Sequence, residues 1–199
     1  MIEILLAVLS ISAAAGLRIA LPLLMIGILS GTNLWVKVPI LSAWSPPWVL
    51  GILVSWSLFE FWASKNRSGN RLLQSLQIFL SPLVGWLVGV AIAQAAELQP
   101  WLINLLGIVS ALLAMVLQLV QVGWFYRLRG GLPLWASFGL DGLCALLVLF
   151  ALDAPQQGGL IALLLLWFAI RSSQTWRDWY KAQAQGGYGN PRAGKLDPD

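Results

Sequence analysis

Four stretches of this chain, 38–59, 72–96, 98–126 and 154–170, contain no Asp, Glu, Lys or Arg. An uncharged apolar run of about 18 or more residues is a candidate to cross a bilayer, because a helix pairs its own backbone and needs only apolar side chains against lipid. Helices of a soluble domain would instead return a polar face at helical spacing. Composition agrees, with 59% hydrophobic and 10% charged residues against roughly 25% charged in soluble domains. The expected fold class is all-α, a polytopic transmembrane helical bundle.

Turn-forming clusters divide the chain. "SPP" at 45–47, "KNRSGN" at 65–70, "ELQP" at 97–100, "RLRGGLP" at 127–133 and "DAPQQGG" at 153–159 are rich in residues that end helices. They leave six expected helices near 4–29, 48–64, 72–94, 101–125, 134–152 and 159–180, together one domain over 1–184. The Gly/Pro-rich polar segment 185–199 reads as a flexible tail, and the partly apolar link 30–47 as a segment along the interface. "SAAAG" resembles a signal-peptide cleavage site, but the start, "MIEI", lacks the positive charge of one. It reads as a retained first helix.

Lys and Arg in short loops mark the cytoplasmic side. Lys65, Arg67, Arg71, Arg127, Arg129, Arg177, Lys181, Arg192 and Lys195 share one side of a six-helix arrangement, and Lys37 stands on the other with Glu97 and Asp153. Both termini are therefore expected in the cytoplasm of a bacterial inner (plasma) membrane, or on the stromal side of a thylakoid. Tryptophans fit the same frame: Trp35, Trp44, Trp48 and Trp101 at the outer boundary, and Trp62, Trp124, Trp135, Trp176 and Trp179 at the inner. Indole anchors there because it is an apolar body with one N–H to satisfy. Trp56, Trp86 and Trp167 fall deeper.

Small residues recur at four-residue spacing: Ser81, Gly85, Gly89 and Ala93 in the third helix, Ser12, Gly16 and Ala20 in the first, Gly107 and Ala111 in the fourth. That spacing puts them on one face, where they let helices approach closely. Few polar groups remain for the interior. Arg18 is mid-helix, Glu60 lies near the inner end of the second helix, Asp141 about two turns into the fifth, and Arg171 in the inner part of the sixth. Gln74, Gln77, Gln118, Gln121 and Gln174 lie at similar depth. An Arg at a helix centre costs roughly 2.5–3.5 kcal/mol to insert and each Leu, Ile or Val returns roughly 0.3–0.6. The fourteen such residues in 4–29 offset it. Intramembrane ions usually face the bundle and pair. Arg18 with Asp141, and Arg171 with Glu60 or Asp141, are the available pairs, which would fix helix register or form a substrate or ion site. Glu60 and Arg171 are near enough to helix ends to snorkel.

The one cysteine, Cys144, permits no internal disulfide, and histidine is absent. No metal or cofactor is expected, and no nucleophile, phosphate-loop or paired-acid motif points to an enzyme. The basic residues sit at helix ends, so the expected partners are the lipid bilayer and a membrane protein or second copy of the chain, not nucleic acid.

"AAAGLRIALPLLMIGIL", "AWSPPWVLGILVSWSLFEFWASK", "QIFLSPLVGWLVG" and an acid ahead of "ALDAP" resemble a bacterial membrane family, domain of unknown function 4126, over most of residues 10–155. The resemblance implies a polytopic membrane fold and no established activity. It implies that Glu60 and Lys65 occupy acid and lysine positions of the family and Arg18 a commonly polar one. The chain departs from the family where an Asp becomes Ser64, an Arg-Pro pair becomes Ser81-Pro82, a Glu-Asp pair becomes Leu140-Asp141, and His and Lys positions become Gln118 and Gln121. It thus resembles a depleted, cyanobacterial branch.

Two functions remain in view. A small transporter or channel-like protein for an ion, an anionic metabolite or a lipid would use Arg18 beside Gly16 and Pro22, with Asp141 as gate or counter-ion. A break near Gly16 could aim backbone groups at an anion. The alternative is a non-enzymatic accessory or assembly subunit of a larger membrane complex, its partner covering the three deeper tryptophans.

Overall fold

The computed structural model describes residues 1–29, 46–63, 67–127 and 134–186, with side chains described within 1–29, 47–60, 73–123 and, apart from 136 and 137, 135–174. These residues form an all-helical array: α1 (Ile2–Leu17), α2 (Ala20–Leu29), α3 (Pro46–Ala63), α4 (Arg67–Ala95), α5 (Pro100–Arg127), α6 (Leu134–Asp153) and α7 (Pro155–Gly186). Most of the expected link 30–47 and of the tail 185–199 lies outside the described residues, although α7 itself runs on to Gly186.

The expected first helix, 4–29, is broken in two. Arg18 leaves helical geometry with φ −144° and ψ 141°, while its N–H still donates to the Ala14 carbonyl at 3.0 Å. Pro22 is the cause: its ring would collide with the carbonyl four residues back, which is that of Arg18. Restarting at Ala20 places Pro22 in the first turn of α2, where its missing N–H costs nothing. Pro82, by contrast, sits inside α4 without ending it.

α1 is the hub. Its residues from Ser10 to Leu17 are all buried, and it packs on α4, α5, α6 and α7. "SISAAAG" makes this possible, since small side chains let four neighbours reach one backbone. A methyl added at Gly16 would stand 2.8 Å from the Ala114 carbonyl oxygen and 2.9 Å from Leu117 Cβ. The stripe on α4 lies against α5, with Gly85 facing Ser110 and Ala114 and Gly89 facing Ser110. Gly107 of α5 in turn receives Val90 and Trp86.

These contacts fix direction. Along α1, Val8 clusters with Ala93 and Leu106, Ser10 donates to the Leu147 carbonyl, Ala15 accepts from Ser81 and Gly16 meets Ala114. Advancing along α1 therefore advances along α5 and retreats along α4 and α6. α7 runs parallel to α1, because Gln156 donates to Glu3 at 3.2 Å while Leu6 lies on Gly159. Met1 and the end of α7 thus lie at opposite ends of the array.

The outside is apolar and the inside carries polar groups. Phe79, Leu112, Leu160, Leu164 and Trp48 are exposed, whereas Ser10, Ser12, Ser81, Ser110, Gln74, Gln77, Gln118, Arg18 and Glu60 are buried. Among the described residues, Leu73–Ala95 and Pro100–Gly123 are long and apolar enough to cross a membrane, with mean hydropathies of 2.0 and 2.3.

Candidate functional site

The break in the hub helix places a charge where the bundle is most enclosed. Arg18 is 8% exposed, and its Nε donates to Asp141 Oδ1 at 2.5 Å. Because α6 runs antiparallel to α1, Asp141 arrives at the C-terminal end of α1, where a guanidinium also complements the unpaired carbonyls. Those carbonyls find further partners. Cys144 Sγ, three residues along α6, lies 3.4 Å from the Ala14 oxygen, and Ser81 Oγ lies 3.4 Å from that of Ala15. A helix interrupted in the interior must satisfy these groups locally, and two adjoining helices supply the donors.

A second polar group assembles beside this pair. Glu60 of α3 is 3% exposed. Its Oε1 accepts from Trp56 Nε1 at 2.9 Å and from Gln77 Nε2 at 3.1 Å. Gln77 accepts in turn from Gln118 Nε2 of α5 at 3.3 Å. A line of side chains therefore runs from Trp56 and Glu60 through Gln77 to Gln118, joining α3, α4 and α5. Glu60 does not snorkel to the surface as its position near a helix end suggested; Trp56 and Gln77 draw it inward.

The other sequence candidates divide. Gln118 belongs to the line. Gln121, one turn on, does not, and its Oε1 is enclosed without a partner, as are those of Gln74 and Gln118. Arg171 is exposed on α7 with its guanidinium 5.4 Å from the centre of the Trp167 ring, apart from Glu60 and Asp141. Gly16, Ser81, Gly85 and Gly89 lie at the helix contacts that close the bundle around the pair. Sequence reasoning missed Gln77 and Trp56 as partners of Glu60. Trp56 was legible in principle, since it precedes Glu60 by four residues and shares its helix face.

Among the described residues, the cluster brings together Arg18, Asp141 and Glu60: Asp141 is in direct contact with Arg18, and Glu60 accepts from an amide and an indole.

Residues 5–175 match the family profile described as Domain of unknown function (DUF4126). The chain belongs to the DUF4126 family. The match runs from within α1 into α7 and includes Arg18, Glu60, Gln77, Gln118 and Asp141. No curated protein and no solved structure matches this DUF4126 chain.

Proposed function

We propose that this DUF4126 protein is a polytopic protein of the bacterial inner membrane and a small ion transporter in which Glu60 carries a proton across the bundle. The observation that carries the reading is the enclosed Glu60 carboxyl, which among the described residues meets amide and indole donors while Arg18 is taken by Asp141. An enclosed carboxyl held by amide and indole donors is costly to ionise. A hub helix broken at mid-depth with its ends facing polar groups is also the arrangement that transporters use to form sites inside a bilayer.

Membrane placement is supported by the apolar exterior and polar interior, the reverse of what water requires. The basic end, where α5 closes on Arg127 and α7 carries Arg177 and Lys181, is cytoplasmic. The other end, with Glu3, Glu97 and Asp153, faces out, and with it the start of α1. The chain then crosses an odd number of times.

The ion is favoured over an anionic metabolite because the Arg18 guanidinium is already engaged. The accessory-subunit alternative loses two of its supports. Trp56 is held by Glu60, and Trp86 packs against Gly107, which leaves Trp167 as the deep exposed tryptophan.

The test is voltage-driven acidification of proteoliposomes enclosing a pH-sensitive dye. The wild-type protein acidifies the lumen, and Glu60→Gln, of the same shape and unable to titrate, loses at least about ten-fold of the rate at unchanged melting temperature. Equal rates for the two proteins, or no flux in the wild type, would refute the proposal.

A further inference from the structure

Enclosed oxygens that no side chain donates to gather along the seam between α4 and α5. The Oε1 atoms of Gln74, Gln118 and Gln121 are shut off from the surface and, among the described residues, accept no hydrogen bond. Gln118 is 1% exposed and Gln74 6%. An amide oxygen in that state carries the full cost of its desolvation, so a set of them on one seam points to something held there.

Helix register brings the set together. Gly85 lies against Ser110, and Gly89 against Ser110 and the Leu106 carbonyl, while Gln77 accepts from Gln118. The same antiparallel register sets Gln74, three residues before Gln77, opposite Gln121, three residues after Gln118. Two layers of facing glutamines therefore stack along the seam. Of their four side-chain oxygens only that of Gln77 is engaged, by the Gln118 amide. Glu60 joins the stack through Gln77 Nε2.

The chemistry of this set is narrow. The unengaged atoms are all neutral amide oxygens, and oxygen donors suit hard cations rather than transition metals. The chain has no histidine, and Cys144 lies on the Ala14 carbonyl instead. Calcium is ordinarily held by several carboxylates, and magnesium keeps much of its water. Glu60, the one carboxyl bonded into the stack among the described residues, balances a single positive charge. Neutral carbonyl oxygens are also what replaces the water shell of an alkali ion inside a membrane protein.

We propose that the glutamine stack between α4 and α5 binds one alkali cation, sodium or potassium, through the side-chain oxygens of Gln74, Gln118 and Gln121, with the Glu60 carboxylate as its counter-charge. The cation gives the three oxygens a partner and offsets the cost of an ionised Glu60 in an enclosed place. The proposal shares Glu60 with the proton reading but adds a second ion, and it needs only the place of Glu60 in the stack.

The full-length protein in mild detergent is melted in sodium, potassium or choline chloride at one ionic strength, and isothermal titration with the sodium and potassium salts counts the ions bound. At least one of the two alkali ions raises the melting temperature saturably, by about 5–10 °C at a hundred-fold excess over its dissociation constant, and binds at one per chain. Gln74→Leu and Gln121→Leu each remove an enclosed oxygen that has no partner, so they melt at or above the wild type in choline chloride but bind the ion at least about ten-fold more weakly. Glu60→Gln, which keeps the shape and removes the charge, weakens binding by a similar factor. A wild type that melts alike in all three salts overturns the proposal and leaves water as the partner of these oxygens. Undiminished binding in both glutamine variants, or in Glu60→Gln, overturns it too. Cation binding without proton flux would sink the proton reading alone, and proton flux without a cation response would sink this inference alone.

Discussion

Breaking the Arg18–Asp141 pair one partner at a time has unequal expected costs, and the inequality follows from the burial of each partner. Asp141→Leu leaves a guanidinium that is 8% exposed and has lost its acceptor. Orphaning one half of a buried pair costs about 3–5 kcal/mol. The Asp141 side chain is 29% exposed, which places the loss near the lower end, about 3 kcal/mol. Arg18→Leu is milder, about 1–2 kcal/mol, because the carboxyl left behind is less enclosed than the guanidinium. Replacing both partners with leucine restores most of the loss, since an apolar pair of similar volume often matches a buried ion pair. For a chain of this size each kcal/mol shifts the melting temperature by about 2–4 °C. Asp141→Leu should then melt about 6–12 °C below the wild type, Arg18→Leu about 2–8 °C below, and the double variant within about 4 °C of wild type. The assay is thermal unfolding of the detergent-solubilised protein, followed by near-ultraviolet circular dichroism. Additive losses in the double variant, or single variants that melt like the wild type, would refute the claim that the pair is buried and mutually dependent.

Two further outcomes follow from packing. Gly16→Ala and Gly85→Ala should each cost about 1–3 kcal/mol by overpacking, since the added methyl meets backbone oxygens of α5 at 2.8 Å in both cases. Gly142→Ala, with nothing within 4 Å, should be neutral or gain up to about 1 kcal/mol from helix propensity; chemical denaturation in detergent separates the three. Cys144 is 0% exposed and should resist an uncharged maleimide in the folded protein and react promptly once unfolded. Prompt labelling of the native protein would contradict its place against the Ala14 carbonyl.

Much of the architecture was readable from the sequence because it depends on local chemistry. Charge-free runs and Gly/Pro clusters locate α3 through α7 to within a few residues at most boundaries, and four-residue spacing of small side chains marks the faces of α1, α4 and α5 that meet. The break at Arg18 was harder. Pro22 can kink a helix or end it, and the choice depends on whether neighbours supply donors for the freed carbonyls; Ser81 does so for Ala15 from another helix. The pairing of Arg18 with Asp141 was one of a short set of combinations, since the interior holds so few charges. Glu60 was among the candidate interior groups, but its partners were not legible, because depth along one helix does not show which side chains on another will reach it. Gln77 and Gln118 come to Glu60 only through the crossing of α3, α4 and α5, which no local pattern encodes.

The direction of the chain through the proposed bilayer is the claim on which the side assignment depends. Reporters that are active on only one side of the inner membrane, fused in turn before Met1 and after the last residue of the full-length chain, measure it directly. The parallel run of α1 and α7 predicts an N-terminal reporter active outside and a C-terminal reporter active in the cytoplasm. Both reporters active on the same side would contradict the arrangement.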